Sequence, residues 1–286
     1  MEIFCSTGGF RESYFLEVAE ELIQTGVTNI ELSGGAYRGS YEIDTKTLAY
    51  KSKLMLHNYF PPPKNSFVFN LASPNTDIRE KSIRLAKDAL TLSSKIGSKF
   101  YAVHAGFCFD PNPTELGKTF KHTKLIPKRV ATSLFVESMQ DLSHFASQVQ
   151  VKLLVENNVL TTGNLESLGR NSLLLTEPDE IESLLRGNED RFGLLLDVGH
   201  LKVSGRTIGF STEEGMKQLA EFIDGYHLSD NNGEADQHLF FDNGAWFLKH
   251  IDSSKSFATI EIHDKSPQEV GEFFLKIAEV LDLKDE

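Results

Sequence analysis

The chain has little cysteine, no long apolar run and no excess of positive charge. Its 286 residues include 2 cysteines, which cannot provide the disulfide framework typical of small secreted proteins. No segment approaches the roughly 18 consecutive apolar residues of a membrane helix, and no signal peptide is evident. The net charge of -12 disfavours nonspecific adhesion to nucleic acid or to acidic membranes. These features predict a cytoplasmic protein that does not associate with membranes.

Eight short apolar segments are spaced along the whole chain. Each is rich in β-branched, aromatic or leucine residues and is too short for a typical helix, which predicts strands. Their apolar residues are nearly continuous, a pattern typical of parallel strands covered on both faces. The predicted strands are EIFCS (2–6), NIELS (29–33), KLMLHN (53–58), KFYAVHAG (99–106), KLLVENN (152–158), FGLLLDVGH (192–200), GYHLSDN (225–231) and FATIEIH (257–263).

Amphipathic segments lie between most of these strands. Residues 11–26 form an apolar stripe that ends at Gly26, a residue suited to end a helix. Residues 76–97 have the same periodicity, with Thr76 or Asp77 as the predicted N-cap. Further helices are predicted over 128–149, 177–187, 211–223 and 266–281, a short helix over 244–251, and a long loop over 161–170.

Alternating strands and helices without a linker-like break in composition predict an α/β protein, a (β/α)₈ TIM barrel. We expect it to form a single domain over residues 1–286. An open, doubly wound sheet is the alternative. The composition is compatible with a monomer or with an oligomer.

The predicted strands end in side chains that bind divalent metals. In a (β/α)₈ barrel, the C-terminal ends of the strands form the active site. A single histidine or acid there is usually structural, but crowded carboxylates repel one another unless a cation compensates their charge. The repeated pattern therefore predicts a metal site with ligands that suit zinc, manganese or iron. The residues concerned are His57, His104, Glu156, Asp197, His200, His227, Glu261 and His263, with Asp236 and His238 in the loop after strand seven.

Four of these residues resemble the ligand set of a known superfamily. Glu156, Asp197, His227 and Glu261 match the Glu, Asp, His, Glu set on strands five to eight of the xylose isomerase-like barrels, which also include endonuclease IV. The segment LLLDVGH resembles that superfamily's D-x-x-H motif and adds His200. The resemblance covers nearly all eight units and implies a xylose isomerase-like TIM barrel.

Several segments resemble endonuclease IV more closely. They are FNLASP (69–74), VHAG (103–106), VENN (155–158), HLSD (227–230) and DQH (236–238). The resemblance implies all nine ligands of a trinuclear zinc site, namely His57, His104, Glu156, Asp197, His200, His227, Asp236, His238 and Glu261. The chain departs from the endonuclease pattern at Ala105, at LFFDNG (239–244) and at the PPPK insertion (61–64). Loops that open a DNA duplex are not recognisable.

The resemblance leaves two enzymatic reactions open. In a sugar or sugar-phosphate isomerase or epimerase, the four strand-end ligands hold one divalent ion (Zn, Mn, Co or Mg). Glu156 and Glu261 are then the catalytic bases around an enediolate. In a phosphoesterase, the five remaining residues complete a site for two or three zinc ions. The acidic surface and the absent duplex-opening loops favour the isomerase or epimerase of carbohydrate metabolism, so a small sugar is the predicted partner. Nucleic acid is a partner only under the alternative.

Four residues are predicted to bind substrate. His200 is expected to orient it, and Arg38 lies in the glycine-rich segment 33–39 after strand two. Lys121 and Lys124 belong to segment 118–129, which follows strand four. This segment also carries Lys118, His122, Lys128 and Arg129. It suits contact with a phosphate or an acidic sugar, and equally suits a solvated loop.

Overall fold

In the computed structural model of the chain, which describes residues 1–121 and 124–282, eight parallel strands close into a barrel. Each strand pairs with the next along the chain, and the eighth pairs with the first. The strands are β1 (Glu2–Ser6), β2 (Asn29–Ser33), β3 (Lys53–His57), β4 (Phe100–His104), β5 (Lys152–Glu156), β6 (Gly193–Asp197), β7 (Ile223–Leu228) and β8 (Phe257–Ile260). The predicted (β/α)₈ barrel is confirmed, and the open sheet is excluded because the barrel is closed.

Helices follow most strands and cover the outside of the barrel. They are α1 (Phe15–Thr25), α2 (Tyr41–Leu48), α3 (Thr76–Lys95), α4 (Lys128–Gln148), α5 (Thr162–Leu168), α6 (Pro178–Leu185), α7 (Val198–Ile208), α8 (Thr212–Leu219) and α9 (Pro267–Asp282). Short 3-10 helices span Pro113–Glu115 and Leu248–His250. Within the described residues, no helix is both long and apolar enough to cross a membrane.

Three helices show where the sequence prediction was correct and where it was wrong. α1 ends at Gly26 as predicted, and this glycine has a left-handed φ of 106°. The predicted N-cap of α3 was wrong: Asn75 caps it, because its side chain accepts a hydrogen bond from Asp77 N. The segment interpreted as a loop contains α5, which Thr161 caps through Asn164 N. α2 and α7 were also not predicted.

Side chains inside the barrel form two layers. The lower layer is apolar and consists of Phe4, Met55, Ala102, Leu154, Leu195 and Phe257. Successive side chains of a strand alternate between its faces, so the residue two positions later also points into the barrel. Those residues are Ser6, His57, His104, Glu156, Asp197 and Thr259. A polar layer therefore lies on an apolar plug, near the C-terminal ends of the strands.

The opposite face of each strand packs against the helices. Ile30, Val103, Val155 and Leu196 are fully buried in this outer core. Full burial of such a side chain contributes roughly 1.5–3 kcal/mol relative to leaving it exposed. The outer core stabilises the barrel wall and leaves the interior positions free to carry polar groups.

Candidate metal centre

Glu156 lies at the centre of the polar layer, at the end of β5. Its Oε2 is 3.1 Å from His57 Nε2 and 2.9 Å from His104 Nδ1. His104 stands directly across from Glu156 in the register of β4 and β5. The Glu156 and His57 side chains are buried, whereas that of His104 is 35% exposed. These three residues form a first group of ligand-type atoms.

His227 joins Glu156 to two further carboxylates. Its Nδ1 lies 3.3 Å from Glu156 Oε1, 3.1 Å from Glu261 Oε2 and 3.9 Å from Asp197 Oδ2. Asp197 also caps α7, because its Oδ1 accepts a hydrogen bond from His200 N at 2.7 Å. The cap leaves Oδ2 directed toward the second group, which comprises Glu156, Asp197, His227 and Glu261.

A third group lies beside the second one. Asp236 Oδ2 is 3.1 Å from His200 Nε2 and 2.8 Å from His238 Nε2. His200 Nδ1 is 2.8 Å from the carbonyl oxygen of Asn157. With Nδ1–H donating to that oxygen, Nε2 of His200 is the nitrogen that faces Asp236. His238 has a φ of 46°, a left-handed conformation that is costly for a residue other than glycine and that is concentrated at functional sites.

The carboxylates of this centre have shifted pKa values. Burial opposes the ionisation of Glu156, but the neighbouring His104, His57 and His227 hold its pKa well below the usual range. Burial also opposes ionisation of Glu261, yet the neighbouring His227 and His263 keep its pKa well below the usual range. Opposite charges therefore compensate one another in the absence of a metal.

The histidines shift in the opposite direction. Burial alone would lower their pKa values, but the carboxylates around them prevail. Asp197 and Asp236 raise the pKa of His200 well above its usual value, and Asp236 raises that of His238 to about 9. Glu31 and Glu156 likewise raise the pKa of His227 well above its usual value. Each of these shifts favours the protonated form of the imidazole.

The arrangement fits divalent cations. Glu156 Oε2, His227 Nδ1 and Asp236 Oδ1 are buried and make no well-directed hydrogen bond within the described residues. Buried polar atoms are normally satisfied, and a cation would satisfy all three. Potential ligand atoms converge within 4.8 Å of one another in several sets. These sets include His57, His104 and Glu156; Glu156, Asp197 and His200; and His200, Asp236 and His238. Each of these sets could hold a metal ion.

The nine predicted ligands are all brought together, and their roles stay predictions. The predicted substrate-binding residues are placed differently. His200 is in the third group, whereas Arg38 is bonded to Glu17 at 2.6 Å and stacks on the Tyr14 ring. Lys121 and Lys124 are exposed.

Two lysines of segment 118–129 make contacts with other residues of the chain. Its Lys128 forms an ion pair with Glu180, and its Lys118 donates to the Thr114 carbonyl. His122 lies outside the described residues. Contact between this segment and a substrate stays a prediction.

Two residues that support the ligands were missed by the sequence analysis. Asn157 joins β5 to β6, because its Oδ1 accepts from Asp197 N at 2.8 Å and its Nδ2 donates to Asp197 O at 3.1 Å. Glu31 is a buried carboxylate on β2 whose Oε2 is 3.1 Å from His227 Nε2. A lone acid in the middle of the apolar segment NIELS was the available signal for Glu31.

Known proteins resemble this chain in sequence and in fold. The sequence profile of the family described as xylose isomerase-like TIM barrel matches residues 21–273. An uncharacterized protein of Methanocaldococcus jannaschii is 23% identical over 218 residues, which cover 74% of this chain and 73% of that protein. A probable endonuclease 4 of Aquifex aeolicus is 24% identical over 236 residues, covering 77% and 72%. The solved structure of a D-tagatose 3-epimerase-like protein is 17% identical, covers 100% of both chains and has a TM-score of 0.72.

Proposed function

We propose that this chain, which belongs to the family of xylose isomerase-like TIM barrels, is a multi-metal phosphoesterase. The family also includes epimerases, isomerases and endonuclease IV. Members of the family generally bind divalent metals. In this phosphoesterase, His57, His104 and Glu156 would hold a first ion. The second group holds another ion, and the third group, His200 with Asp236 and His238, holds a third.

The observation that carries this proposal is the surplus of buried ligands. A one-metal epimerase needs the four residues of the second group, and it would leave the buried His57 and His238 and the half-buried Asp236 without a role in the reaction. Each of these three contacts a carboxylate or a histidine of the centre, so all of them lie where they could act as metal ligands. A site for several ions uses all of them.

The chain's own residues hold and orient the reacting groups. Divalent ions at such a site supply the activation of water and the compensation of negative charge on a phosphoryl group. Glu156 stands between the first and second groups and can bridge them through its two oxygens. His104 and Asp236 are the most exposed of the nine ligands, at 35% and 20%. We therefore place the entry of substrate on their side.

The expected substrate is a small phosphate ester. The probable endonuclease 4 relative supports phosphoester chemistry in this chain. The net charge of -12 disfavours binding to the backbone of a long duplex, because that binding depends on neutralising many phosphates. Lys121 and Lys124 remain candidates for contacting the phosphate.

An epimerase of small sugars is the second candidate. The second group alone provides the Glu, Asp, His, Glu set, and Glu156 and Glu261 both approach His227 Nδ1. This geometry suits one ion with two carboxylates as bases. The similarity of the fold to that of a D-tagatose 3-epimerase-like protein supports this candidate.

Zinc content and substrate assays distinguish the two candidates. We expect elemental mass spectrometry to find two or three zinc ions per chain. We also expect the protein to hydrolyse bis-p-nitrophenyl phosphate or p-nitrophenyl phosphate. An oligonucleotide with an abasic site tests nucleic acid. One ion together with deuterium exchange into a ketohexose would establish the epimerase instead. A protein that takes up no metal would contradict both.

A double variant provides the matching test within the chain. In a phosphoesterase, His57→Ala with His104→Ala removes about one zinc ion and abolishes hydrolysis. In an epimerase, the same variant keeps its single ion. His144→Ala, which removes an exposed histidine on α4, is the control and should change neither result.

A further inference from the structure

Glu31 lies inside the barrel, in the same layer as the predicted ligands. It comes from the middle of β2, between Ile30 and Leu32, and its side chain is only 1% exposed. A buried carboxylate is unfavourable unless hydrogen bonds and an opposite charge compensate it. Its partners therefore indicate why the position is acidic.

The partners of Glu31 come from strands that do not pair with β2. His227 Nε2 on β7 and Thr259 Oγ1 on β8 each lie 3.1 Å from Glu31 Oε2. Strands β8 and β1 separate β7 from β2 in the barrel wall. The contact between Glu31 and His227 thus crosses the interior of the barrel and does not follow a strand pairing.

This contact determines which nitrogen of His227 faces the other ligands. When Nε2–H donates to Glu31, the lone pair of a neutral imidazole is on Nδ1. Nδ1 is the atom that lies 3.1 Å from Glu261 Oε2 and 3.3 Å from Glu156 Oε1. A ring turned the other way would direct Nδ1 away from the second group and lose both contacts.

We infer that Glu31 is a positioning residue of the metal centre. It holds His227 in the tautomer and orientation in which Nδ1 binds a divalent ion of the second group. Thr259 in turn holds the Glu31 carboxylate by donating to the same oxygen. This inference rests on the metal centre of the proposed function and extends it to a residue outside the nine predicted ligands.

Zinc affinity tests the inference without a substrate. The full-length protein is stripped, reloaded with zinc and titrated with a chromophoric chelator, and folding is checked by circular dichroism. Loss of a partner that orients a ligating histidine typically weakens metal binding by about 10–100-fold. We expect Glu31→Leu to weaken one zinc equivalent by that factor and to leave the others nearly unchanged. Glu31→Gln should lose less, because its amide oxygen still accepts a hydrogen bond from His227.

Threonine variants provide matched controls. Thr259→Val removes the hydroxyl that holds Glu31 and should weaken the same zinc equivalent by a smaller factor. Thr45→Val removes an equally buried hydroxyl on α2, which donates to the Tyr41 carbonyl. It should leave zinc binding unchanged. A general loss of packing would affect both variants alike, which would contradict the inference.

The tautomer of His227 is a second readout that a purely structural role would not change. In ¹H–¹⁵N spectra of the zinc-loaded wild type, we expect a slowly exchanging proton on His227 Nε2. It should persist in Glu31→Gln and disappear in Glu31→Leu. Full zinc affinity in folded Glu31→Leu overturns the inference. If that variant does not fold, a proton on Nδ1 in the wild type or in Glu31→Gln overturns it. Failure of the wild type to take up zinc instead contradicts the proposed function.

Discussion

Gly8 lies directly against the carboxylate of Glu261, so a methyl group there should displace a predicted metal ligand. A Cβ added to Gly8 would lie 2.1 Å from Glu261 Oε1. Non-bonded heavy atoms prefer separations of roughly 3.5 Å, so the oxygen must move by about 1 Å or more. Gly8 does not have a left-handed φ, so alanine adds no backbone strain.

The expected effect of Gly8→Ala is small on stability and large on function. The displaced atom is the end of a side chain, which can move. We therefore expect the free energy of unfolding to fall by an amount at the lower end of the roughly 1–3 kcal/mol that overpacking costs. A misplacement of about 1 Å at a reacting centre can cost about 100-fold in rate. Glu261 belongs to the second group, so this loss is expected for a phosphoesterase and for an epimerase alike.

Urea denaturation measures the free energy of unfolding, zinc titration the affinity of the site, and steady-state kinetics the catalytic rate. Gly39→Ala is a matched control, because its added Cβ would meet only the Tyr37 hydroxyl, at 4.0 Å. Gly39→Ala should bind zinc and turn over substrate as the wild type does. A Gly8→Ala protein with wild-type zinc affinity and activity would show that Glu261 Oε1 is not needed at its observed position.

Three further predictions concern the loop after β7, the protons of the centre and the apolar plug. Lys202 donates to Asp230 Oδ1 at 2.7 Å, and Asp230 begins the loop that carries Asp236 and His238. Lys202→Met should therefore loosen this loop. The zinc content after dialysis should fall by one equivalent, with little change in Tm. Because the pKa values of His200 and His227 are well above their usual value and that of His238 is about 9, zinc must displace protons at neutral pH. Zinc affinity should therefore fall as the pH is lowered, and calorimetry in buffers of different ionisation enthalpy should detect proton release; no release would contradict these protonation states. Leu195→Ala empties a fully buried position of the plug and should cost about 2–5 kcal/mol in denaturant unfolding, whereas a loss below that range would show that the plug relaxes into the cavity.

Local patterns in the sequence were sufficient to predict the strands and the acids and histidines at their ends. A strand covered on both faces must be apolar nearly throughout, so polar residues are tolerated only where the strand meets the mouth of the barrel. His57, His104, Glu156 and Asp197 each lie two residues beyond a plug residue. The alternation of side chains therefore directs them to the inner face of the barrel, above the plug.

Local signals also explain where the sequence prediction of the helices failed. The helix α5 has 7 residues, too few for a periodic apolar stripe. The helix α7 follows β6 without a loop, because Asp197 both ends the strand and caps the helix. The sequence pattern therefore combined the two elements into one segment.

Only the tertiary structure decided how the candidate ligands are grouped and what supports them. Glu31 and His227 are 196 positions apart and touch because the barrel closes, so no local pattern could pair them. The same closure places Gly8 against Glu261 and Asp236 between His200 and His238. Residue types at strand ends follow from burial along one chain segment, whereas distances between their atoms depend on the register of all eight strands.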